Sequence, residues 1–264
     1  MSFYLFFIHP KLKDLLLSEL EIYHPELKLS FSNKEFISMK GPENYSSRLR
    51  KRPVVFSRKM AIFSHKSVAA EGESVSVGKE HWVYKTIKTY SDTFDLSISD
   101  LPKDAPARAW HKVDEFVRHF KIDLLKNQNI IEIGSAPGGI SFYLLKIGVQ
   151  LVSIDPAQMN PLINTFNNFK HIQKSVFDVT AEELPVQCDW LVSDLNLNGD
   201  LNTNQCKRLA KMYPNLKGGF ITIKTPDQNE LKKFDKWVKI FSDYKTVLIH
   251  LPSHRKEIGL YFYK

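Results

Sequence analysis

The chain is predicted to be α/β, a doubly wound sheet preceded by a small α+β module, and three observations carry this. From residue 129 onward short β-branched runs alternate with helical spacings, which is the signature of a mostly parallel sheet with helices on both faces. Before residue 64 the order is strand, helix, two strands, a polar segment and another strand, and βαββ(α)β is the order of a ferredoxin-like unit. Between these stretches lies a proline-rich joint, Leu101-Pro-Lys-Asp-Ala-Pro106.

Residues 3–8 read as the first strand, and residues 10–23 as a helix with Pro10 in its first turn and leucines at 12, 15, 16, 17 and 20. Residues 27–32 and 35–39 form a hairpin joined through Asn33-Lys34, and residues 53–63 a further strand. Residues 65–77 are small and polar, and 81–90 are a candidate extra strand. The expected division is therefore a ferredoxin-like module at 1–64, a linker at 65–103 and a Rossmann-like domain at 104–264. A helix at 107–120 opens that domain. Its strands are expected at 130–133, 151–154, 171–173, 190–193, 219–224, 246–251 and 259–263.

The run Ile130-Ile131-Glu132-Ile133 ends at Gly134, and Ser135-Ala136-Pro137-Gly138-Gly139 then turns the chain into a helical spacing over 140–146. A glycine turn between strand and helix lets a ligand approach the backbone and aims free N–H groups at it. Asp155 ends the next strand, where an acid accepts hydrogen bonds from ribose hydroxyls. Ligands of such sheets sit beyond the C-terminal strand ends, and Gly134, Asp155, Asp194 and Lys224 all fall there. These residues predict a nucleoside-containing cofactor.

Composition narrows the classes. The chain has 264 residues and a net charge of +8, which favours polyanionic partners. Residues 46–59 carry six basic side chains (Arg48, Arg50, Lys51, Arg52, Arg58, Lys59) and no acid, with Pro53 and Phe56 interleaved; a solvated face and a phosphate-binding face are both open readings. No apolar run approaches the roughly 20 residues of a spanning helix. The start, Met-Ser-Phe-Tyr-Leu-Phe-Phe-Ile-His-Pro, lacks a basic leader and a cleavage site. Cys188 and Cys206 make neither a zinc spacing nor a disulfide framework. A cytoplasmic chain without a metal, a membrane or DNA is expected.

Six segments carry a resemblance: Asp104-Ala-Pro-Ala-Arg-Ala-Trp-His-Lys-Val-Asp-Glu115, Gly134-Ser-Ala-Pro-Gly-Gly139, Ser153-Ile-Asp-Pro-Ala-Gln-Met159, Ser193-Asp-Leu-Asn196, Ile223-Lys-Thr-Pro226 and Ser253-His-Arg-Lys-Glu257. In this order they resemble the FtsJ-like (RrmJ-type) ribose 2′-O-methyltransferases, and within them the RlmM-type enzymes of 23S rRNA cytidine. The resemblance implies S-adenosylmethionine as cofactor and RNA, in particular rRNA, as partner. It implies a catalytic tetrad at Lys112, Asp194, Lys224 and Glu257. It also implies cofactor contacts at Gly134, Ser135, Ala136, Pro137, Gly138, Gly139, Asp155 and Asp194. Two departures accompany it. Where the RrmJ-type pattern has an adenine-binding acid this chain has Ser175, with Asp178 three residues on, so adenine falls to backbone groups at Ser175 and Val176. Residues 64–100 are also too short for the THUMP unit of RlmM-type enzymes.

In such a reaction a ribose hydroxyl attacks a sulfonium methyl in line and needs orientation and a proton acceptor. Lys224 is expected to act as the base or to orient the oxygen lone pair. A nearby Lys112 would lower its pKa and the carboxylates of Asp194 and Glu257 would raise it; Asp194 is expected chiefly to orient it. Other methyl-transfer classes fit less well, because neither cysteine stands as a nucleophile, Asp194-Leu-Asn-Leu is not an Asp/Asn-Pro-Pro-aromatic loop, and the glycine turn is not Gly-x-Gly-x-x-Gly. The competing reading is an RNA-binding protein that keeps the fold without the chemistry.

Overall fold

A computed structural model describes residues 1–89, 97–225 and 227–264. The chain divides into two compact units, Met1–Phe94 and Asp95–Lys264.

The first unit is a six-stranded antiparallel sheet in the order β2-β3-β1-β4-β6-β5, built from β1 (Ser2–Phe7), β2 (Lys28–Ser32), β3 (Phe36–Gly41), β4 (Lys59–Ser67), β5 (Ser74–Val77) and β6 (Glu80–Thr86). Two helices, α1 (Lys13–Tyr23) and α2 (Ser46–Lys51), complete it. The order β2-β3-β1-β4 is that of a ferredoxin-like unit, and β6-β5 extends it. The module therefore does not end at residue 64, and the expected linker at 65–103 is corrected. Gly78 at φ +65° turns Val77 back onto Glu80, and the resulting hairpin joins the sheet through β4. The predicted strand at 81–90 ends at Thr86, and Tyr90 lies outside the described residues.

The predicted strand at 53–63 begins instead at Lys59. The N–H groups of Val55 and Phe56 donate to the buried carboxylate of Glu19, at 2.7 and 3.0 Å, so they are taken from any ladder. Burial raises the Glu19 pKa to about 7 against those two bonds.

The second unit holds a seven-stranded sheet ordered β12-β13-β11-β10-β7-β8-β9. Its strands are β7 (Asn129–Ile133), β8 (Gln150–Ile154), β9 (Phe169–Ile172), β10 (Trp190–Ser193), β11 (Gly218–Lys224), β12 (Lys245–Ile249) and β13 (Glu257–Tyr263). All neighbouring pairs from β9 to β11 are parallel, but β13 runs antiparallel to both β11 and β12. The sheet is thus not wholly parallel. β13 also begins at Glu257, which was expected before the strand.

Helices α3 (Trp110–Phe120), α4 (Gly139–Ile147), α5 (Gly199–Ala210), α6 (Gln228–Leu231) and α7 (Phe234–Ile240) surround this sheet. On one face Phe116 of α3 stacks on Phe220 at 4.3 Å, and Val113 joins Ile130, Leu144, Leu151 and Val192 in the core. On the other face Phe241, which caps α7, stacks on Phe262 at 4.3 Å. Cys188 and Cys206 are buried and unpaired as thiols, and burial pushes both to about 12. Neither is a nucleophile at neutral pH.

A lysine–carboxylate cluster at the C-terminal edge of the sheet

The glycine turn leaves β7 in a conformation that suits few side chains. Gly134 has φ +72°, and a Cβ there would stand 2.7 Å from the Leu195 nitrogen and 2.9 Å from the Asp194 carbonyl carbon. Gly138 has φ +113°, and a Cβ there would press on Ile163 at 2.6 Å. These positions need glycine for shape and for close approach. Gly139 then starts α4, where a Cβ would meet the Ala107 carbonyl oxygen at 2.7 Å. Ser135 is buried, with its hydroxyl 3.6 Å from Met159 Sδ, and Ala136 is joined to Pro137 by a cis peptide bond.

Asp155 follows β8 and ties the turn to it. Its carboxylate accepts from Ala136 N–H at 3.0 Å and from Ala157 N–H at 2.8 Å. Beneath the turn Glu132 is buried inside β7 and accepts from Ser141 Oγ at 2.6 Å and from Ser153 Oγ at 3.1 Å. Burial raises its pKa to about 8, against those two bonds. Sequence reasoning passes over Glu132, although an acid between isoleucines on a core strand is a signal. Ser175 and Val176 open a short turn beyond β9, and Arg208 of α5 holds that turn by donating to the carbonyls of Val176 at 2.6 Å and Val179 at 3.3 Å.

The four residues expected to act together do meet, although they come from four separate elements. Lys112 stands on α3 one turn before Phe116, so packing of Phe116 on Phe220 fixes where its stem rises. Asp194 directly follows β10, with its N–H on the Ile133 carbonyl at 2.9 Å. Lys224 ends β11, and the antiparallel register pairs it with Glu257 at the start of β13. Pro226, the last residue of the Lys224 motif, lies outside the described residues.

Lys112 Nζ is 2.7 Å from Asp194 Oδ1 and 3.0 Å from both Asp194 Oδ2 and Glu257 Oε1. Lys224 Nζ is 2.5 Å from Glu257 Oε2 and 3.8 Å from Asp194 Oδ1. Glu257 therefore bridges the two lysines. The expectation that Asp194 chiefly orients Lys224 is corrected, since Glu257 makes that bond and Asp194 holds Lys112.

Exposure separates Lys224 from the other three. The side chains of Lys112, Asp194 and Glu257 are 12%, 12% and 10% exposed, and that of Lys224 is 31% exposed. Burial pulls the Lys112 pKa down, but Asp194 and Glu257 outweigh it and the net shift is upward. Burial pushes Glu257 up, and the two lysines bring it below the usual carboxylate range. For Asp194 burial wins over both lysines and the pKa is raised. A cavity of about 370 Å³ opens on this cluster, lined by Arg108, Lys112, Ser253, Arg255 and Glu257 among others. No three His, Cys, Asp or Glu side chains among the described residues are grouped to hold a metal, and no described helix is long and apolar enough to cross a membrane.

A doubly wound sheet with one reversed strand, a glycine turn at its first strand and paired lysines and carboxylates at its C-terminal edge define a Rossmann-like methyltransferase. Residues 105–258 match the FtsJ-like methyltransferase family, and the chain belongs to it. S-adenosylmethionine comes with this family as the methyl donor.

Two relatives are named ribosomal RNA large subunit methyltransferase M. That of Marinomonas sp. (strain MWYL1) is 25% identical over 153 residues, covering 55% of this chain and 41% of that protein. That of Idiomarina loihiensis is 25% identical over 176 residues, covering 57% of this chain and 47% of that protein. The chain thus spans less than half the length of these relatives. Among solved structures, a Lactococcus lactis protein that carries a hemolysin name is similar at a TM-score of 0.51 and 14% identity, over 62% of this chain and 90% of that one. At that identity the likeness concerns the fold alone.

Proposed function

We propose that this chain transfers a methyl group from S-adenosylmethionine to a ribose 2′-hydroxyl of RNA, and that the RNA is ribosomal. The observation that carries the reading is the meeting of Lys112, Asp194, Lys224 and Glu257 beside the glycine turn. Bound cofactor supplies an activated methyl group, and everything else is left to the side chains. The turn Gly134–Gly139 and Asp155 fit such a cofactor, because the backbone there is open to close approach and an acid stands at the neighbouring strand tip. Ser175 and Val176 lie beyond β9, where the adenine end belongs in this reading.

Lys224 is the most exposed member of the four and is the group offered to the hydroxyl. Acting as a free amine, its Nζ orients the oxygen and takes its proton as the methyl moves, while Glu257 at 2.5 Å and Asp194 at 3.8 Å stabilise the resulting ammonium. Lys112 stays a cation, held up by both carboxylates, and keeps them in place. Once Lys224 holds the proton the four charges sum to zero, and balanced in this way they stay buried together at a smaller desolvation cost than any one of them alone. Arg108 and Arg255, which line the cavity, suit flanking phosphates, and the exposed Arg50, Lys51 and Arg58 of the first unit are also suited to phosphates. The reading puts the chain in the cytoplasm with RNA, and with neither DNA nor a membrane, as its partner.

The test is transfer of labelled methyl to rRNA, followed by mapping of 2′-O-methyl sites in rRNA with and without the gene. A site that vanishes with the gene and returns with purified protein is the expected result. Label found only on bases, or no label on any ribosomal RNA or particle, would refute the proposal.

A further inference from the structure

Helix α3 carries a fully buried carboxylate that the chemistry above does not use. Glu115 lies three residues beyond Lys112 and has no exposed surface. Its Oε2 accepts two hydrogen bonds from one residue, from Ser253 N–H at 3.0 Å and from Ser253 Oγ at 2.8 Å. Its Oε1 has no hydrogen-bond partner among the described residues. A carboxylate that deep is costly unless it is well bonded. Burial raises its pKa, and the Ser253 bonds work against that rise.

Ser253 lies in the segment that delivers Glu257 to β13. The segment is already closed on itself, since His254 N–H donates to the Leu251 carbonyl at 3.0 Å and Leu251 N–H donates to His254 Nδ1 at 3.2 Å. His254 is itself buried, and burial together with the nearby cations keeps its ring neutral. Glu115 fastens this closed turn to α3. One helix thus grips this segment twice, through Glu115 on Ser253 and through Lys112 on Glu257 Oε1 at 3.0 Å.

We infer that Glu115 is a positioning residue, which fixes the segment 251–257 against α3 and so sets where Glu257 meets Lys224. The inference rests on the proposed 2′-O-methyl transfer and names the device that holds its geometry. Displacing a reacting constellation by about 1 Å from a distance can cost on the order of 10²-fold in rate.

Glu115→Ala, Glu115→Gln and Ser253→Ala would be compared in single-turnover methyl transfer, in calorimetric binding of S-adenosylmethionine, and in amide hydrogen exchange over residues 250–257. Glu115→Ala is expected to slow transfer about 10- to 100-fold, with cofactor affinity unchanged and faster exchange at 251–257. Glu115→Gln keeps an oxygen that accepts both Ser253 bonds, so it should restore most of the rate. Ser253→Ala should show a smaller loss, and the Glu115→Ala/Ser253→Ala double variant should be no slower than Glu115→Ala alone, because the two residues act through one contact. If Glu115→Ala does not fold, the other two single variants still decide.

Rate and cofactor affinity falling together in every variant, or unchanged exchange in Glu115→Ala, would overturn the inference. Wild-type protein that transfers no methyl to RNA would refute the proposed function. The exchange measurement would still report on the clamp in that case, lost protection at 251–257 upholding it and unchanged protection overturning it.

Discussion

Replacing Lys224 with alanine removes the amino group that takes the proton and leaves Lys112 facing two carboxylates. Glu257 is deprived of its partner at 2.5 Å, and Asp194 of a second cation at 3.8 Å. At about 4 Å a unit charge pair is worth about 4 kcal/mol at an effective dielectric of about 20, before desolvation is subtracted. The remnant carries a net negative charge at a site about one-tenth exposed, so Glu257 should move up from its lowered position and bind a proton more readily. The fold should survive, because Lys224 ends a strand and its side chain keeps partial exposure.

The rate is a different matter. A positioned acid–base group contributes roughly 10²–10⁴-fold, and Lys224→Ala should lose that much in single-turnover transfer to rRNA while cofactor and RNA affinities stay close to wild type. Lys224→Met, which refills the volume of the stem, should be as slow, because the loss is one of chemistry and not of packing. Lys224→Arg should also fail, since a guanidinium keeps its proton at neutral pH and its planar fork is larger than an ammonium. A Lys224→Ala enzyme near wild-type rate would refute the role given to this residue. Cofactor affinity falling in parallel would show instead that Lys224 belongs to binding.

Gly134→Ala should weaken S-adenosylmethionine binding at least about tenfold, because the new methyl meets backbone at 2.7–2.9 Å in a positive-φ conformation; calorimetry checks this. Asp155→Ala should weaken the same binding while also freeing the Ala136 N–H at the turn. Neutralising Arg50, Lys51 and Arg58 should lower the slope of log affinity for RNA against log salt by about 0.7 or less for each phosphate left without its cation, whereas Arg48, held by Glu26, should contribute less. Glu132 has a folded pKa raised to about 8 from 4.5. The folded state therefore holds a proton that the unfolded state releases, and stability should fall as pH rises from about 4.5 to 8. Glu132→Gln should flatten that fall in denaturant titrations, leaving the smaller slope due to Glu19, whose pKa is raised to about 7; an unchanged slope would show that Glu132 is ionised in the fold.

Much of this molecule is legible in its sequence because local patterns and tertiary demands agree. The run Ile130-Ile131-Glu132-Ile133, the glycines after it and Asp155 each state a strand, a turn and a strand tip in a few consecutive residues. The same holds for Lys112, Asp194 and Lys224, whose motifs are local. The hairpin of β5 and β6 is legible only in its second strand, which is the candidate at 81–90. Its first strand, β5, is only four residues of serine and valine, and only Gly78 marks the turn, so pairing with β6 decides the outcome. Glu19 likewise reaches across 36 residues to take the N–H of Val55 and delay β4, which no local pattern encodes. Glu115 looks like one more charge on an amphipathic helix, because its partner Ser253 lies 138 residues away.

The direction of β13 shows why the remaining part of the site needs the structure. In a parallel strand the C-terminal edge receives the last residues, as Lys224 ends β11 and Asp194 follows β10. Had β13 been parallel, Glu257 at its beginning would have lain at the opposite edge, about the length of a seven-residue strand away, some 20 Å or more at ~3.3 Å per residue. Reversal brings that first residue to the functional edge, and antiparallel pairing sets it directly across from Lys224. Directly opposed residues on neighbouring strands have Cβ atoms about 4.5–5.5 Å apart, which is the spacing that a lysine and a glutamate can bridge. The reversal thus does for Glu257 what no spacing in the sequence declares, and a site drawn from four distant motifs closes because one strand runs backwards.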